Sequence, residues 1–432
     1  MAKGKQYVYI VQSSKEMTKC KIGKTNNLER RLKEYNNMTG KSKENVYQYV
    51  MACEVKDMAA VENDTKYNFI TLREEPSKEI YFFNTYWFNE YVKFIKSHPL
   101  FVKETYVKTE EPKKQIVKIV KKTAPSLEER EITRKEVMQK AKKIKDDEFY
   151  TRYEDVEKEL SMYNKNIWKN KTVFCNCDDA VGDTEMRTSA FSIYFIKNFK
   201  ELELKKLICT HYSGEVDLFN QGTKGYVFTK FGYREMDFKK EYPEGYNGSF
   251  DHVLSLKILK EETDIVCTNP PFSRAADFWK VIIESGKKFL IISNITNVKN
   301  DTYIPYFKNN KVWAGYNEVD WFLTPKRELT RAAGFWFTNF KIKNRPRYKQ
   351  LKIMPLKEIP EKYIKYDDDK VLLVDNCYIP EGYKKKFAVS VRTILNGLLE
   401  KGYVIVQEKQ YRPYINGKEI FARVLVQKES LS

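Results

Sequence analysis

The amino-acid sequence predicts an α/β protein with a largely parallel main sheet, preceded by a small α+β unit. Three features carry that expectation. From Asp147 onward, short apolar runs of strand length alternate with helical periods, the pattern of a sheet covered by helices. Residues 5–100 hold a denser set of short strands and helices with an apolar pattern of their own. Between them, 103–146 is dense in charge and poor in aromatics, which reads as a connector. The chain of 432 residues is long enough for roughly two to four domains. The expected units are 1–102, a charged linker or helix over 103–142, and 143–432.

In the first unit, Tyr7 to Val11 and Cys20 to Gly23 read as strands and Asn27 to Tyr35 as a basic helix. Val46 to Val55 is strand-like and Ala59 to Phe69 helical. Glu79 to Phe83 is a short strand and Trp87 to Ile95 a closing helix. In the connector, Pro112 and Pro125 argue against regular structure. Ser126 followed by Glu129 resembles a capping box and predicts a helix after it. In the third unit the strands are Thr172 to Asn176, Lys206 to Thr210, Ile265 to Thr268, Phe289 to Ser293, Lys311 to Gly315 and Gly334 to Phe340. Helices are expected over Ser189 to Phe199, between Asp251 and Asp264, and over Ala275 to Glu284.

Composition limits the function. Lys and Arg total 78 against 59 Asp and Glu, a net charge of +19. An excess of that size points to a polyanionic partner, most often nucleic acid, with a soluble protein that is merely basic as the alternative. Only three histidines are present, which argues against a His-rich zinc site. Seven cysteines, an odd number with one close pair at Cys175 and Cys177, do not form a disulfide framework, so a cytoplasmic setting is expected. No apolar run is long enough for a membrane span.

The stretch with chemistry in it is Asp264-Ile-Val-Cys-Thr-Asn-Pro-Pro-Phe-Ser273. A buried strand ends at Thr268, and ligands in open α/β sheets sit outside the carboxyl ends of strands. Two prolines fix the backbone that follows, and Pro270 holds Asn269 out of the helical region. Such a turn can aim one amide side chain and one carbonyl at the same point. An exocyclic amine has two hydrogens, which Asn269 Oδ1 and the Pro270 carbonyl can accept together. That draws the nitrogen lone pair out of conjugation and toward an electrophile, and Phe272 can stack on the base. The bland alternative is a Pro-rich loop with Phe272 in the core.

TNPPFS resembles the catalytic motif of amino-group DNA methyltransferases. DDEFYTRYEDVEKEL (146–160), VFCNCDD (173–179), SAFSIYFIKNFKELELKKLICTHY (189–212), KKFLIISNITNV (287–298), GFWFTNF (334–340) and YRPYINGKEIFARVLVQ (411–427) resemble the EcoRI-type adenine-specific branch. The resemblance covers roughly 143–427. It implies a Rossmann-like fold for that unit, S-adenosylmethionine as methyl donor, and a flipped DNA adenine as acceptor. By the same resemblance Asn269, Pro270, Pro271 and Phe272 are catalytic, and Phe149, Tyr150 and Thr151 lie against the donor. Asp178 or Asp179 pairs with the donor's ammonium, with helix capping as the alternative. Trp336 and Phe337 wall the base pocket or fill the core. Target recognition is expected within 341–400.

In the first unit, Tyr7-Val-Tyr9, Lys21-Ile-Gly23, Thr25, Arg30 or Arg31, and Glu62 resemble the GIY-YIG nuclease superfamily. There a tyrosine activates water, an arginine stabilises phosphate and a glutamate holds one divalent metal. This implies Tyr9, Lys21, Arg30 and Glu62 as possible nuclease residues, with Mg²⁺ or Mn²⁺ on Glu62. The first glycine of the motif is replaced, and Lys21 stands where its second tyrosine would be. The expected function is therefore an adenine-N6 DNA methyltransferase with an N-terminal unit for DNA binding or cleavage. The alternatives are a restriction-modification protein whose main activity is metal-dependent cleavage, and a non-catalytic DNA-binding protein. A fragment starting near Lys140 is expected to retain the methyltransferase by itself.

Overall fold

A computed structural model describes residues 4–38, 46–107, 149–178, 189–210, 212, 225–236, 246–294, 304–324, 328–342, 350–407, 409 and 411–429. The expected helix after Ser126 lies outside these residues.

The first unit is built on β1 (Gln6–Ser13), β2 (Lys19–Thr25), β3 (Tyr47–Val55), β4 (Ile80–Phe82) and β5 (Phe101–Val107), in the order β4-β2-β1-β3-β5. All of these pairings are antiparallel. Alternation along β1 divides its residues between two cores. Val8 and Ile10 join the cluster that also holds Val61, Trp87 and Tyr91, whereas Tyr9 and Val11 pack with Tyr35 and Ala52. Helices α1 (Leu28–Met38), α2 (Met58–Asn68) and α3 (Thr85–Ser97) cover the sheet. Asp57 caps α2 by accepting from the Ala59 and Ala60 amides, and Asn84 caps α3 through the Trp87 amide. Strand β5 carries the sheet past the expected start of the connector at residue 103. It pairs with β3 alone, and the charged side chains that made it read as linker suit an edge strand.

The second unit centres on an eight-stranded sheet. Its strands are β6 (Thr172–Cys175), β7 (Lys206–Cys209), β8 (Tyr226–Thr229), β9 (Gly232–Glu235), β10 (Ile265–Thr268), β11 (Lys288–Asn294), β12 (Trp313–Leu323) and β13 (Leu329–Thr338). Their order is β12-β13-β11-β10-β6-β7-β8-β9. The four inner strands β11, β10, β6 and β7 run parallel, and an antiparallel pair flanks each side. β6 and β10 are buried along their whole length, which is why they read as continuous apolar runs. Helices α4 (Tyr153–Leu160), α5 (Ala190–Lys197), α6 (Val253–Glu261), α7 (Ala275–Ser285) and α8 (Ile304–Lys308) accompany it. The β8–β9 hairpin was not legible as an element, whereas α6 stands where a helix was expected between Asp251 and Asp264.

Beyond residue 350, a five-stranded sheet is formed by β14 (Ile364–Tyr366), β15 (Leu372–Val374), β16 (Phe387–Val389), β17 (Tyr403–Ile405) and β18 (Val424–Lys428). Its Leu372, Val374, Phe387 and Val426 belong to the same cluster as Phe278 and Trp279 of α7 and Ile291 of β11. Arg392 pairs with Glu318 on β12 at 3.1 Å.

The first and second units also share a core. Phe82, Trp87 and Tyr91 fall in one cluster with Phe228, Tyr233 and Phe191. The backbone continues the contact: the Tyr233 amide donates to the Arg73 carbonyl (2.7 Å) and the Glu75 amide to the Tyr233 carbonyl (2.9 Å). Arg73 Nη2 donates to the Phe231 carbonyl at 2.6 Å and Thr229 Oγ1 to Glu75 Oε1 at 2.7 Å. Gly232 has φ +145°, and a Cβ there would stand 2.2 Å from the Arg73 carbonyl oxygen, so the approach requires glycine. This contact differs from the independence expected of the two halves, because β9 meets the N-terminal unit through a hairpin with no signature in the sequence.

Candidate active site

The carboxyl ends of β6 and β10 lie beside each other, since the strands are parallel neighbours. Asn269 leaves β10, and its Nδ2 donates to the Phe149 carbonyl at 2.6 Å. An amide has a donor end and an acceptor end. With the nitrogen anchored, Oδ1 is left buried with no partner. Tyr150 is held by reciprocal backbone bonds with Leu323 of β12, both 2.8 Å. The segment 149–151 therefore runs between the Asn-Pro-Pro-Phe turn and the β12–β13 hairpin.

Phe149, Phe272 and Phe322 form an aromatic group. Phe149 to Phe272 and Phe272 to Phe322 are each 5.4 Å between centroids, and Phe149 to Phe322 is 6.2 Å. Phe322 was not singled out from the sequence, where nothing separates it from the other aromatics of its strand. Pro270 is buried and Pro271 half-buried.

Asp178 follows β6 and is buried. It accepts from Ser189 Oγ, Thr268 Oγ1 and the Asn269 backbone amide. It thus ties the end of β6 to the end of β10 and to the start of α5. Burial pushes its carboxyl up to about 7, against the pull of these three donors. Asp179 lies outside the described residues. Thr151 Oγ1 and Asn176 Nδ2 are also buried and without partners. Unsatisfied buried polar atoms are uncommon in a finished core, so this group fits the donor site implied by the sequence. Asp251 is held below the ordinary carboxylate range by Arg274, whose Nη2 donates to it at 2.6 Å.

Trp336 and Phe337 are both fully buried. As neighbours on β13 they face opposite sides of the sheet, Trp336 against Phe191 and Phe337 against Trp279 and Phe307. Both stand in the core; the rings grouped around Asn269 are Phe149, Phe272 and Phe322.

Glu159 on α4 is a second buried carboxyl that the sequence did not mark. It accepts from Tyr163 Oη and from the Tyr316 and Asn317 amides, and so fixes α4 to β12. Burial pushes it, too, up to about 7. For both groups the folded pKa lies above the unfolded value, so the native state holds more protons between about pH 4 and 7. Their contribution is fully present below the unfolded pKa and is lost as pH rises through the folded one. Thermal unfolding should show that Asp178→Asn narrows the stability difference between pH 5.5 and 8. An unchanged pH profile in the variant would contradict the assignment.

In the N-terminal unit, Tyr9 and Arg31 are brought together: Arg31 Nε donates to Tyr9 Oη at 3.0 Å, and Tyr9 Oη lies 3.0 Å from Tyr35 Oη. Lys21 Nζ stands over the Tyr35 and Tyr47 rings. Arg30 points elsewhere, toward Asn26 and Glu34. Glu62 is on α2 beside Val61, which packs in the opposite core from Tyr9. Its oxygens are bound by Lys24 Nζ at 2.7 Å and Lys66 Nζ at 3.0 Å. Of the four residues implied from the sequence, Tyr9 and Lys21 lie at one cluster, Arg31 takes the place expected of Arg30, and Glu62 is apart. Among the described residues no group of three or more His, Cys, Asp or Glu side chains could hold a metal ion.

Comparison with known proteins adds the following. A family described as adenine-specific methyltransferase EcoRI matches residues 137–423, and the T5orf172 domain matches 6–103. The Type II methyltransferase M.EcoRI of Escherichia coli is 36% identical over 200 residues, which are 44% of this chain and 59% of that protein. M.MgeORF184P of Mycoplasma genitalium is 29% identical over 333 residues, 68% of this chain and 98% of its own length. M.MpnI of Mycoplasma pneumoniae is 37% identical over 177 residues, 41% of this chain and 50% of that protein. The chain thus spans a little over half of the first of these relatives. No solved structure matches.

Proposed function

The chain belongs to the EcoRI family of adenine-specific methyltransferases, and from that premise we propose that it methylates the N6 amine of a flipped adenine in double-stranded DNA. S-adenosylmethionine is the donor, and when bound it supplies an electrophilic methyl group. The single observation that supports this reading best is the Asn269 side chain: its nitrogen is anchored on Phe149 and its buried oxygen has no partner.

The residues divide the work as follows. Asn269 Oδ1 accepts one amine hydrogen and the Pro270 carbonyl the other, so the lone pair is turned out of the ring system. Phe272, with Phe149 and Phe322 behind it, offers an aromatic face to the base. Asp178 does not reach the acceptor; through Thr268, the Asn269 amide and Ser189 it fixes where the turn starts. Tyr150, Thr151 and Asn176 line the donor side, the last two with polar atoms free to bind it. Preorganised polar groups of this kind act most strongly where water is excluded. Target recognition is assigned to the part of the C-terminal region within 341–400.

The test is incorporation of label from S-adenosylmethionine into duplex DNA, followed by nucleoside analysis. Label recovered in N6-methyladenine is the expected result. Label in cytosine, or none with any duplex containing adenine in varied contexts, would overturn the reading.

A further inference from the structure

We propose that the N-terminal unit grips a DNA phosphate without a metal ion and does not cleave the backbone. The family resemblance implies a divalent metal on Glu62, and the residues present do not fit one. A hard divalent cation needs free carboxylate oxygens. Both oxygens of Glu62 are taken by ammonium groups, and its side chain is only 8% exposed. Binding a metal there would place a 2+ charge beside two fixed cations. Its neighbour Val61 packs in the core on the opposite side of the sheet from Tyr9, and Glu62 itself is held by Lys24 and Lys66 rather than by the Tyr9 cluster.

The Tyr9 cluster has the chemistry of an anion site instead. Lys21 Nζ lies 5.3 Å from the Tyr35 ring and 5.5 Å from the Tyr47 ring, and among the described residues no carboxylate pairs with it. The Arg31 guanidinium sits 4.8 Å from the same Tyr35 ring. Its Nε is used on Tyr9 and its Nη1 on Glu34 at 2.9 Å, and among the described residues Nη2 has no partner. Two cations therefore meet around one tyrosine, against a single carboxylate in contact. Tyr9 is fully buried and Gly23, its partner across the strands, leaves room for the ring; a Cβ there would stand 2.6 Å from the hydroxyl. Tyr9 is thus a fixed post for Arg31. Arg and Lys held on aromatic faces bind phosphate oxygens as fixed charges. The shared core with β9 carries this grip rigidly on the methyltransferase, so the phosphate contact is in fixed register with the adenine site.

The experiment uses the full-length protein. Binding to a labelled duplex is followed by anisotropy across a salt series, in Mg²⁺ and in EDTA, and supercoiled DNA is incubated with Mg²⁺ or Mn²⁺ and examined for breaks. Affinity should be the same in EDTA once ionic strength is matched, and no breaks should form. Lys21→Met, which keeps the stem on the rings and removes the charge, should weaken binding several-fold and lower the slope of log K against log salt by about 1. Lys21→Arg should restore the slope. Metal-dependent breaks that vanish with Glu62→Gln would overturn the proposal. So would an unchanged affinity and salt slope in both Lys21→Met and Arg31→Ala variants of normal melting temperature. Methyl transfer at saturating DNA reads the other unit separately, so failure here is distinct from failure of the methyltransferase reading.

Discussion

Asn269→Ala is expected to lower methyl transfer by about 10²–10³-fold, the scale set by removing one preorganised polar contact from a reacting group. Donor binding, measured by calorimetry without DNA, should stay within about twofold of the parent, because a lost contact of ~1.4 kcal/mol would be needed for a tenfold change. The separation follows from geometry. Asn269 Oδ1 has no protein partner to lose, and Nδ2 holds only the Phe149 carbonyl. Asn269→Asp sharpens the test. It keeps an acceptor toward the amine but sets a carboxylate oxygen against the Phe149 carbonyl at the present distance of 2.6 Å. Activity between the parent and the alanine variant is the expected outcome. Equal turnover in parent and alanine variant would remove Asn269 from the chemistry.

Deleting the N-terminal unit is expected to cost the rest of the chain its stability. A fragment from Lys140 leaves Tyr226, Phe228 and Tyr233 without the cover of Phe82 and its neighbours. Tyr233 is 2% exposed in the intact chain. Truncating one such ring removes ~3–5 kcal/mol, and the fragment uncovers several together with the unpaired backbone groups of Phe231 and Tyr233. It should be insoluble or melt at least about 10 °C below the full chain. Tyr233→Ala in the full-length protein should shift melting in the same direction by several degrees. A fragment that melts with the parent would show that the shared core contributes little.

Some of this protein is determined by local sequence. The strand-Asn-Pro-Pro-Phe order fixes a rigid turn because each proline restricts its own backbone and that of the residue before it. β6 and β10 are buried at every position because both faces are covered, and their apolar residues, broken only by Thr172 and Thr268, are visible in a four-residue window. The family follows from these motifs in their order. The β8–β9 hairpin was missed for a local reason as well: Thr229, Lys230, Phe231 and Gly232 lack a strong turn pair.

What only the tertiary structure decided is the choice of partners. Asn269 and Phe149 are 120 positions apart, and which end of the amide faces the site depends on that one carbonyl. Asp178 reads in the sequence as a donor ligand with helix capping as the alternative, and its contacts to Thr268 and Ser189 come only from the fold. Arg30 and Arg31 are adjacent in the sequence, yet only Arg31 reaches Tyr9, since one step along a helix turns a side chain by about 100°. Glu62 carries the motif's residue type, and the fold sets it between Lys24 and Lys66. Residue type and local rigidity are short-range properties of the chain. Facing and pairing depend on sheet order and register, where a shift of one residue exchanges the two sides.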